Sequence, residues 1–377
     1  MIHADIVRPD ALTSTDIAVW HSLAQGHFAS PLLQPEFANL VAQVRDDVRV
    51  SIFRKGQDRP GFLAFHKRPG RLARSLAAPF SDIQALVSAP EFAATGPEAL
   101  KAAGIRAFQF DALRDPFGIF CQTPGEDSEA HVIAPGPDID HFLEQQRALH
   151  AKRFKNHRRL SRQMERECGA LSFTAPDSDF DALAQLLDWK RTQFKNTSRH
   201  DVLAADWVQS LMQLAHNTTT GGVRGLFVSL RVDDKIVAGL FGIRSDTVFN
   251  PWIAAYDPAY AAWSPGQQVL HELIAAMPEL ALESCDIGAD HDHYKKYYAA
   301  NAVPVKSALV TAPGIDLGIT RARALFWSAA ERTPAAPLAL KIRRRLNQIS
   351  AVELDTGQRL SGFVRAVTQK AQQTVEP

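Results

Sequence analysis

A short run, ADHDHYKKYY (289–298), crowds together side chains that can move protons. Asp290, His291, Asp292 and His293 can accept a proton, Tyr294, Tyr297 and Tyr298 can give one, and Lys295 adds positive charge. The run follows SCDIG (Ser284–Gly288), which reads as a short strand. Strand ends in α/β sheets commonly border ligand clefts. At helical spacing Asp290, Tyr294 and Tyr297 share one face, and His293 and Tyr297 lie four apart. The histidines lack a distant matched ligand set, so no metal is expected. The competing reading is a solvated first helical turn whose tyrosines pack on a sheet.

A second stretch, AWSPGQQVLHELI (Ala262–Ile274), could hold an anion. Val269, Leu270, Leu273, Ile274 and Met277 recur at the spacing of one helix face. Ser264, Pro265, Gly266, Gln267 and Gln268 therefore sit at the mouth of a helix. A helix N-terminus carries unpaired N–H groups and about half a positive charge, and it binds phosphate without a lysine. Gly266 lets backbone approach an anion closely, Pro265 sets the turn, and Ser264 and Gln267 could add donors. A diphosphate fits. An ordinary cap, with Ser264 at N-cap and Pro265 at the first helical position, competes with that reading. His271 and Glu272, on the same helix, are expected to face solvent.

The elements that must position these groups can be read from periodicity. Phe180, Leu183, Leu187 and Phe194 form one helical stripe, and Trp207, Leu211 and Leu214 a second, ended by the turn at Thr218–Gly222. Gly225–Val232, Ile236–Ile243 and TVFNPWIAAY (247–256) read as three strands joined by short polar turns. Pro251 in the third cannot donate to a ladder and implies a bulge or an edge. The Ser-Pro-Gly helix, the SCDIG strand, the proton-bearing run and a last strand, VPVKSALVT (303–311), follow. Helix, helix, three strands, loop-helix, strand, helix, strand is the order of the GNAT acetyltransferase fold.

The first half repeats part of this order. Ile17–Leu23 and Pro35–Val44 read as helices, and Val48–Phe53 and Gly61–His66 as strands joined by a KGQDRP turn. A helix at Pro97–Ala103 and a strand at Ala107–Phe110 come later, with no Ser-Pro-Gly loop at the matching place. An internal duplication with one degenerate copy accounts for this. The expected fold is α+β: two tandem GNAT-like domains with mixed central sheets flanked by helices. The expected division is a degenerate first domain (1–140), a basic linker helix (141–168), a second domain with the cofactor loop (169–312) and a helical tail (313–377).

At 377 residues the chain is long enough for two cores. A formal charge of +1 gives no global field toward nucleic acid. Cys121, Cys168 and Cys285 have no metal-like spacing and leave one unpaired, which fits a reducing cytoplasm rather than a disulfide framework. The start, MIHADIVRPD, has no apolar signal region, and no apolar stretch is long enough to span a bilayer.

WIAAYDPAYAAWSPGQQVLHELI (252–274), followed by CDIGADHDHYKKYYA (285–299), resembles the CelD-type acetyltransferases of bacterial polysaccharide biosynthesis. These are GNAT proteins with a duplicated fold, similar in plan to the FemABX aminoacyltransferases. The marks are Asp257-Pro258, Tyr260, Ser264-Pro265-Gly266, Asp286 and Gly288, Asp290, and Tyr294-Lys295, with ASPLLQPEF (Ala29–Phe37) and PFSDIQ (Pro79–Gln84) in the first half. The spaced glycines of the usual GNAT loop are absent, and Gly266 stands alone there.

The resemblance implies acetyl-CoA, or another acyl-CoA, as co-substrate. Its pantetheine arm would lie along the backbone of Ile253, Ala254, Ala255 and Tyr256, and its diphosphate on Ser264–Gln268. Acetyl transfer to an amine needs a base, a polarised carbonyl and a proton for the departing thiolate. Asp290 or His293 is read as the base and Tyr294 or Tyr297 as the acid. Lys190, Asp257 and Lys295 are read as acceptor contacts. The expected acceptor is a small-molecule or lipid-linked sugar bearing an amine.

Two basic segments remain. Lys152, Arg153, Lys155, Arg158, Arg159, Arg162 and Arg166 lie on a long helix read over His141–Glu167. A solvated face, a grip on a sugar-nucleotide or lipid diphosphate, and RNA binding compete there. The near-neutral total and the lack of interleaved aromatics disfavour RNA. LALKIRRRLNQI (Leu338–Ile349) is amphipathic and could lie on an anionic inner-membrane surface or pack on the domain. The expected location is the cytoplasm, with peripheral membrane contact through this tail.

Overall fold

The computed structural model describes residues 2–81, 83–197, 199–289, 297–299, 301–314, 346 and 348–352. The first half runs β1 (His3–Val7), α1 (Ser14–Leu23), α2 (Pro35–Ala42), β2 (Val48–Lys55), β3 (Asp58–Arg68), β4 (Leu72–Ser75), β5 (Val87–Ser88), α3 (Gly96–Ala102), β6 (Ala107–Leu113) and β7 (Gly125–Ile133). Helices α4 (Ile139–Leu149) and α5 (Ala151–Cys168) lead into the second half. There follow β8 (Leu171–Thr174), α6 (Phe180–Asn196), α7 (Asp206–Asn217), β9 (Arg224–Val232), β10 (Lys235–Arg244), β11 (Val248–Tyr256), α8 (Pro265–Ala276), β12 (Ser284–Asp286) and β13 (Asn301–Thr311). The α+β architecture of a duplicated GNAT-like fold, a mixed sheet flanked by helices, is present.

The strands join in one continuous sheet, in the order β1-β2-β3-β4-β6-β13-β7-β12-β11-β10-β9-β8. Each half contributes the same pattern, and each gives its last strand to the other. β13 pairs antiparallel with β6 of the first half, while β7 pairs antiparallel with β12 of the second. The exchanged strands pair with each other over Asn301–Ala308 and Gly125–Val132. Gly125 permits their close approach, since a Cβ there would stand 2.6 Å from the Ser307 carbonyl oxygen.

Alternation along the strands divides the core between two faces. Phe227, Phe241 and Ile243 join Leu183, Leu186 and Leu211 of α6 and α7, and this cluster continues into Trp20, Phe28 and Phe37 of the first half. On the other face Val228, Leu240 and Phe249 join Val269, Leu273 and Ile274 of α8, with Phe142 of α4 and Phe154 of α5. A third cluster holds α3 against β6 and β13.

The linker departs from the single helix expected over His141–Glu167. It breaks at His150 (φ −128°, ψ 41°) into α4 and α5. Phe142 and Phe154 must both face α8, but at ~3.6 residues per turn a straight helix would set them roughly 120° apart. The break brings both onto the same core.

Most of the expected helical tail lies outside the described residues. Ile349, Ala351 and Val352 are buried. The carbonyls of Ala351 and Val352 accept from Arg68 Nη2 (2.9 Å) and Trp207 Nε1 (3.1 Å), so this piece seats on both halves.

Arg68 borders a buried polar network. His66 Nδ1 lies 2.9 Å from Asp47 Oδ1, and His66 Nε2 accepts from the Ala77 amide at 2.9 Å. The bond from His66 Nδ1, and then the two-pronged pair Arg45 makes with Asp47, outweigh burial and hold the Asp47 carboxyl well below its usual range. Burial, with Arg45 and Arg68 nearby, lowers His66 to about 4 despite Asp47. This matches the geometry, because a proton on Nε2 would face the Ala77 N–H. A histidine that takes its proton more readily when unfolded contributes stability fully above pH 6.5, and that contribution is lost as pH falls toward 4. Urea unfolding is expected to show that His66 removes about 2 kcal/mol between pH 7.5 and pH 5; a pH profile unaltered by a His66→Asn substitution would contradict this.

Candidate active site

The site begins with a fork in the sheet. β11 pairs with β10 along its whole length but with β12 only at Val248↔Ser284 and Phe249↔Cys285. Beyond Phe249 the backbone of β11 has no strand beside it on that edge among the described residues. The pairing with β10 slips between Phe241↔Ile253 and Gly242↔Pro251, which makes Trp252 the bulge residue beside Pro251. Gly242 makes this bulge feasible: a Cβ there would lie 2.1 Å from the Asn250 carbonyl oxygen and 2.7 Å from the Pro251 Cα.

At the base of the fork, Asn250 is fully buried and its Nδ2 donates to the Asp286 carbonyl at 3.1 Å. The Asp286 carboxylate caps the Gly288 amide (3.0 Å) and faces Arg114 Nη2 of the first half at 3.6 Å. Arg114 also donates from Nη1 to the His27 carbonyl. Both halves thus meet at the point where β11 and β12 part. In the first half the corresponding opening is closed: Gln84, at the end of PFSDIQ, bridges to Leu113, and its side-chain amide bonds Leu76 on both N and O. Asp82 lies outside the described residues.

The open edge of β11 leads to the head of α8. Ile253 and Ala255 bury their side chains, while Ala254 and Tyr256 are exposed. The Ala254 carbonyl accepts from Lys190 Nζ of α6 at 3.1 Å, so the structure brings together a proposed acceptor contact and a proposed cofactor contact. Asp257 caps a 3-10 turn through the Ala259 amide and pairs with Lys235 at 3.2 Å. Ser264 adopts a left-handed conformation (φ 54°, ψ 51°), and its hydroxyl makes no capping bond. Pro265 has no N–H, and the amides of Gln267 and Gln268 turn back to the Ser264 carbonyl at 3.0 and 3.4 Å. Among the described residues no acceptor meets the Gly266 amide. Gln268 is buried and donates from its side chain to the Trp263 carbonyl at 2.8 Å, so that side chain braces the turn from inside.

Asp290, His293, Tyr294 and Lys295 lie outside the described residues. Tyr297 is half-buried, with the Arg153 guanidinium 3.7 Å from its ring centroid and the His150 ring edge-on at 5.0 Å. Tyr298 is buried, and burial raises its hydroxyl above the ordinary phenol range. That hydroxyl lies 3.5 Å from His271 Nδ1.

His271 and Glu272, expected to face solvent, are half-buried instead. His271 packs between Phe154, His157 and Tyr298, and burial lowers its pKa while raising that of Glu272. The expectation missed that α5 covers this side of α8. Arg114 and Asn250 were also missed; neither belongs to a local motif. Cys285 is buried on β12. Among the described residues no group of three or more His, Cys, Asp or Glu side chains could hold a metal, and no helix is long and apolar enough to cross a membrane.

Residues 151–296 match the family described as acetyltransferase (GNAT) domain. The second half therefore carries a GNAT acetyltransferase domain, and the chain is an acyltransferase. Domains of this class generally use acyl-CoA. No curated protein matches the chain.

Among solved structures it is similar to the C-terminal domain of a putative lysylphosphatidylglycerol synthetase from Agrobacterium fabrum, with 14% identity over 84% of this chain and 96% of that one, at a TM-score of 0.50. At that identity the likeness speaks for the fold alone. A tandem GNAT protein from the clavulanic acid biosynthesis pathway aligns at 9% identity over 84% of this chain and 100% of its own, with a TM-score of 0.47. FemX aligns at 9% identity, covering 70% and 87%, with a TM-score of 0.45.

The two glycines of the site should respond differently to alanine. Gly242→Ala is expected to cost at least about 3 kcal/mol in urea unfolding, because backbone atoms obstruct the new methyl. Gly266→Ala should be close to neutral, since its Cβ would meet only the Tyr256 ring, at 3.4 Å. Equal losses at the two positions would refute the assignment of Gly242 to the bulge.

Proposed function

We propose that the chain transfers an acyl group, most simply acetyl from acetyl-CoA, to an amine on a sugar or a nucleotide- or lipid-linked sugar intermediate of bacterial polysaccharide synthesis. The observation that carries this reading is the fork between β11 and β12, whose open edge runs toward the head of α8. An extended pantetheine arm offers amide groups to such an edge, and a diphosphate suits the Gly266 amide at the helix head. Lys190 then holds the Ala254 carbonyl in place, and the run 290–298 supplies the acid and base.

In this reading residues 169–312 carry the acyl-CoA and residues 1–140 form the degenerate copy, with residues 141–168 as the linker. No metal takes part. The protein works in the cytoplasm, where the C-terminal tail, apart from the piece seated on both halves at Ile349–Val352, touches the inner membrane that carries lipid-linked acceptors. The CelD-like motifs around Ser264–Gly266 and Asp286–Lys295 support the pathway, and the closed opening at Gln84 supports a single cofactor site.

Calorimetry with acetyl-CoA tests the reading. Micromolar binding is expected, and Gly266→Asp should weaken it at least tenfold, about 1.4 kcal/mol, by setting a carboxylate against the diphosphate. No binding at millimolar acetyl-CoA, together with co-purifying RNA, would replace this reading with an aminoacyl-tRNA-dependent transferase; no binding of either would indicate a non-catalytic scaffold. Mass spectrometry of amino-sugar nucleotides incubated with the enzyme and acetyl-CoA then reports the acceptor as an added acetyl group.

A further inference from the structure

On the side of α8 away from α6, two buried nitrogen atoms of α5 have no hydrogen-bond partner: Arg153 Nη2 and His157 Nε2. Their residues are four apart, so they share one face of the helix. His271 of α8 faces them, its ring centroid 4.7 Å from that of His157, and the Tyr298 hydroxyl closes the group 3.5 Å from His271 Nδ1. Arg147 acts on His271 from α4 through its charge. No carboxylate among the described residues forms an ion pair with Arg153, His157 or His271. Leaving a buried polar nitrogen unpaired is costly, and here neighbouring residues of one helix face each leave one so, in a setting that is positive or can become so.

We propose that Arg153, His157 and His271 bind a phosphate group at a site separate from the head of α8. The chemistry fits a tetrahedral anion better than a planar carboxylate, because the donors come from two helices and a tyrosine rather than from one guanidinium fork. His271 lies five residues along α8 from Gly266, roughly 7.5 Å at the helical rise, so a diphosphate at the helix head does not itself fill the second position. Burial and the neighbouring His271 and Arg153 lower His157 to about 4, and an anion would offset that repulsion. Two sources supply this chemistry: the phosphate of a nucleotide- or lipid-linked acceptor, or the 3′-phosphate of coenzyme A. Only this choice of source rests on the acyltransferase reading above.

The test is calorimetry of inorganic pyrophosphate with the full chain. Arg153→Gln and His157→Gln are each expected to weaken binding at least tenfold. Arg153→Lys should recover part of the loss, and Glu144→Gln, on the exposed face of α4, should stay within twofold. Thermal midpoints measured alongside show whether each variant is folded. Binding that survives saturating coenzyme A assigns the site to the acceptor. Displacement by coenzyme A but not by 3′-dephospho-coenzyme A assigns it to the donor's 3′-phosphate. Displacement by both, no binding, or binding unchanged in the folded Arg153 and His157 variants overturns the proposal. A chain that binds pyrophosphate through Arg153 yet ignores acetyl-CoA keeps this site and loses the acyl-CoA reading instead.

Discussion

The pairing of β7 with β13 is the interaction on which the rest of the structure depends. Each strand is the last of its half, and each completes the other half's sheet before the two meet in the middle. A sheet edge left by one copy of the fold is thereby covered by the other, which removes an exposed row of backbone donors and acceptors. It also makes the second half's site depend on the first. β12 is short, with β11 on one side at only two pairs, and β7 holds it from the other. Without β7 there would be little to keep β12 at the fixed distance from β11 that opens the fork.

The fork combines constraints that act in opposite directions. The bulge at Trp252 and the loss of pairing beyond Phe249 free backbone groups of β11, which costs ladder hydrogen bonds. Asn250 and Arg114 oppose further opening by tying β11 and the first half to Asp286. Gln268 plays the corresponding part at the head of α8, where its buried amide holds the turn that presents Gly266. The first copy shows the alternative outcome: with Gln84 bridged to Leu113, the same topology yields a packed seam.

Much of this was legible in the sequence. The stripes of α6 and α7 and the helix after Ser264 followed from periodicity, because each helix buries one face, while β9, β10 and β11 bury both faces and read as apolar runs bounded by polar turns. Pro251 announced its bulge, since proline cannot donate to a ladder. The short strands β1, β4, β5 and β8 and the longer β7 were not read. Strand β7, GEDSEAHVI, is polar over its first five residues and buries only Ala130 and Ile133, so no apolar alternation marks it. The linker's break at His150 was equally hidden, because local propensity favours one helix and only the shared core on α8 requires two.

The sequence by itself determined the kinds of group available: a helix head with a glycine, a strand with a proline, a basic helix, and a run of acids, histidines and tyrosines. Local spacing sets these, so they can be read without knowing what lies across the molecule. Only the tertiary structure decided that Arg114 reaches Asp286, that Lys190 meets the Ala254 carbonyl, and that His157 of α5 faces His271 of α8. Those meetings join residues far apart in the chain. They are set by the strand exchange and by which face of each helix the two cores bury, and neither leaves a periodic trace in the sequence.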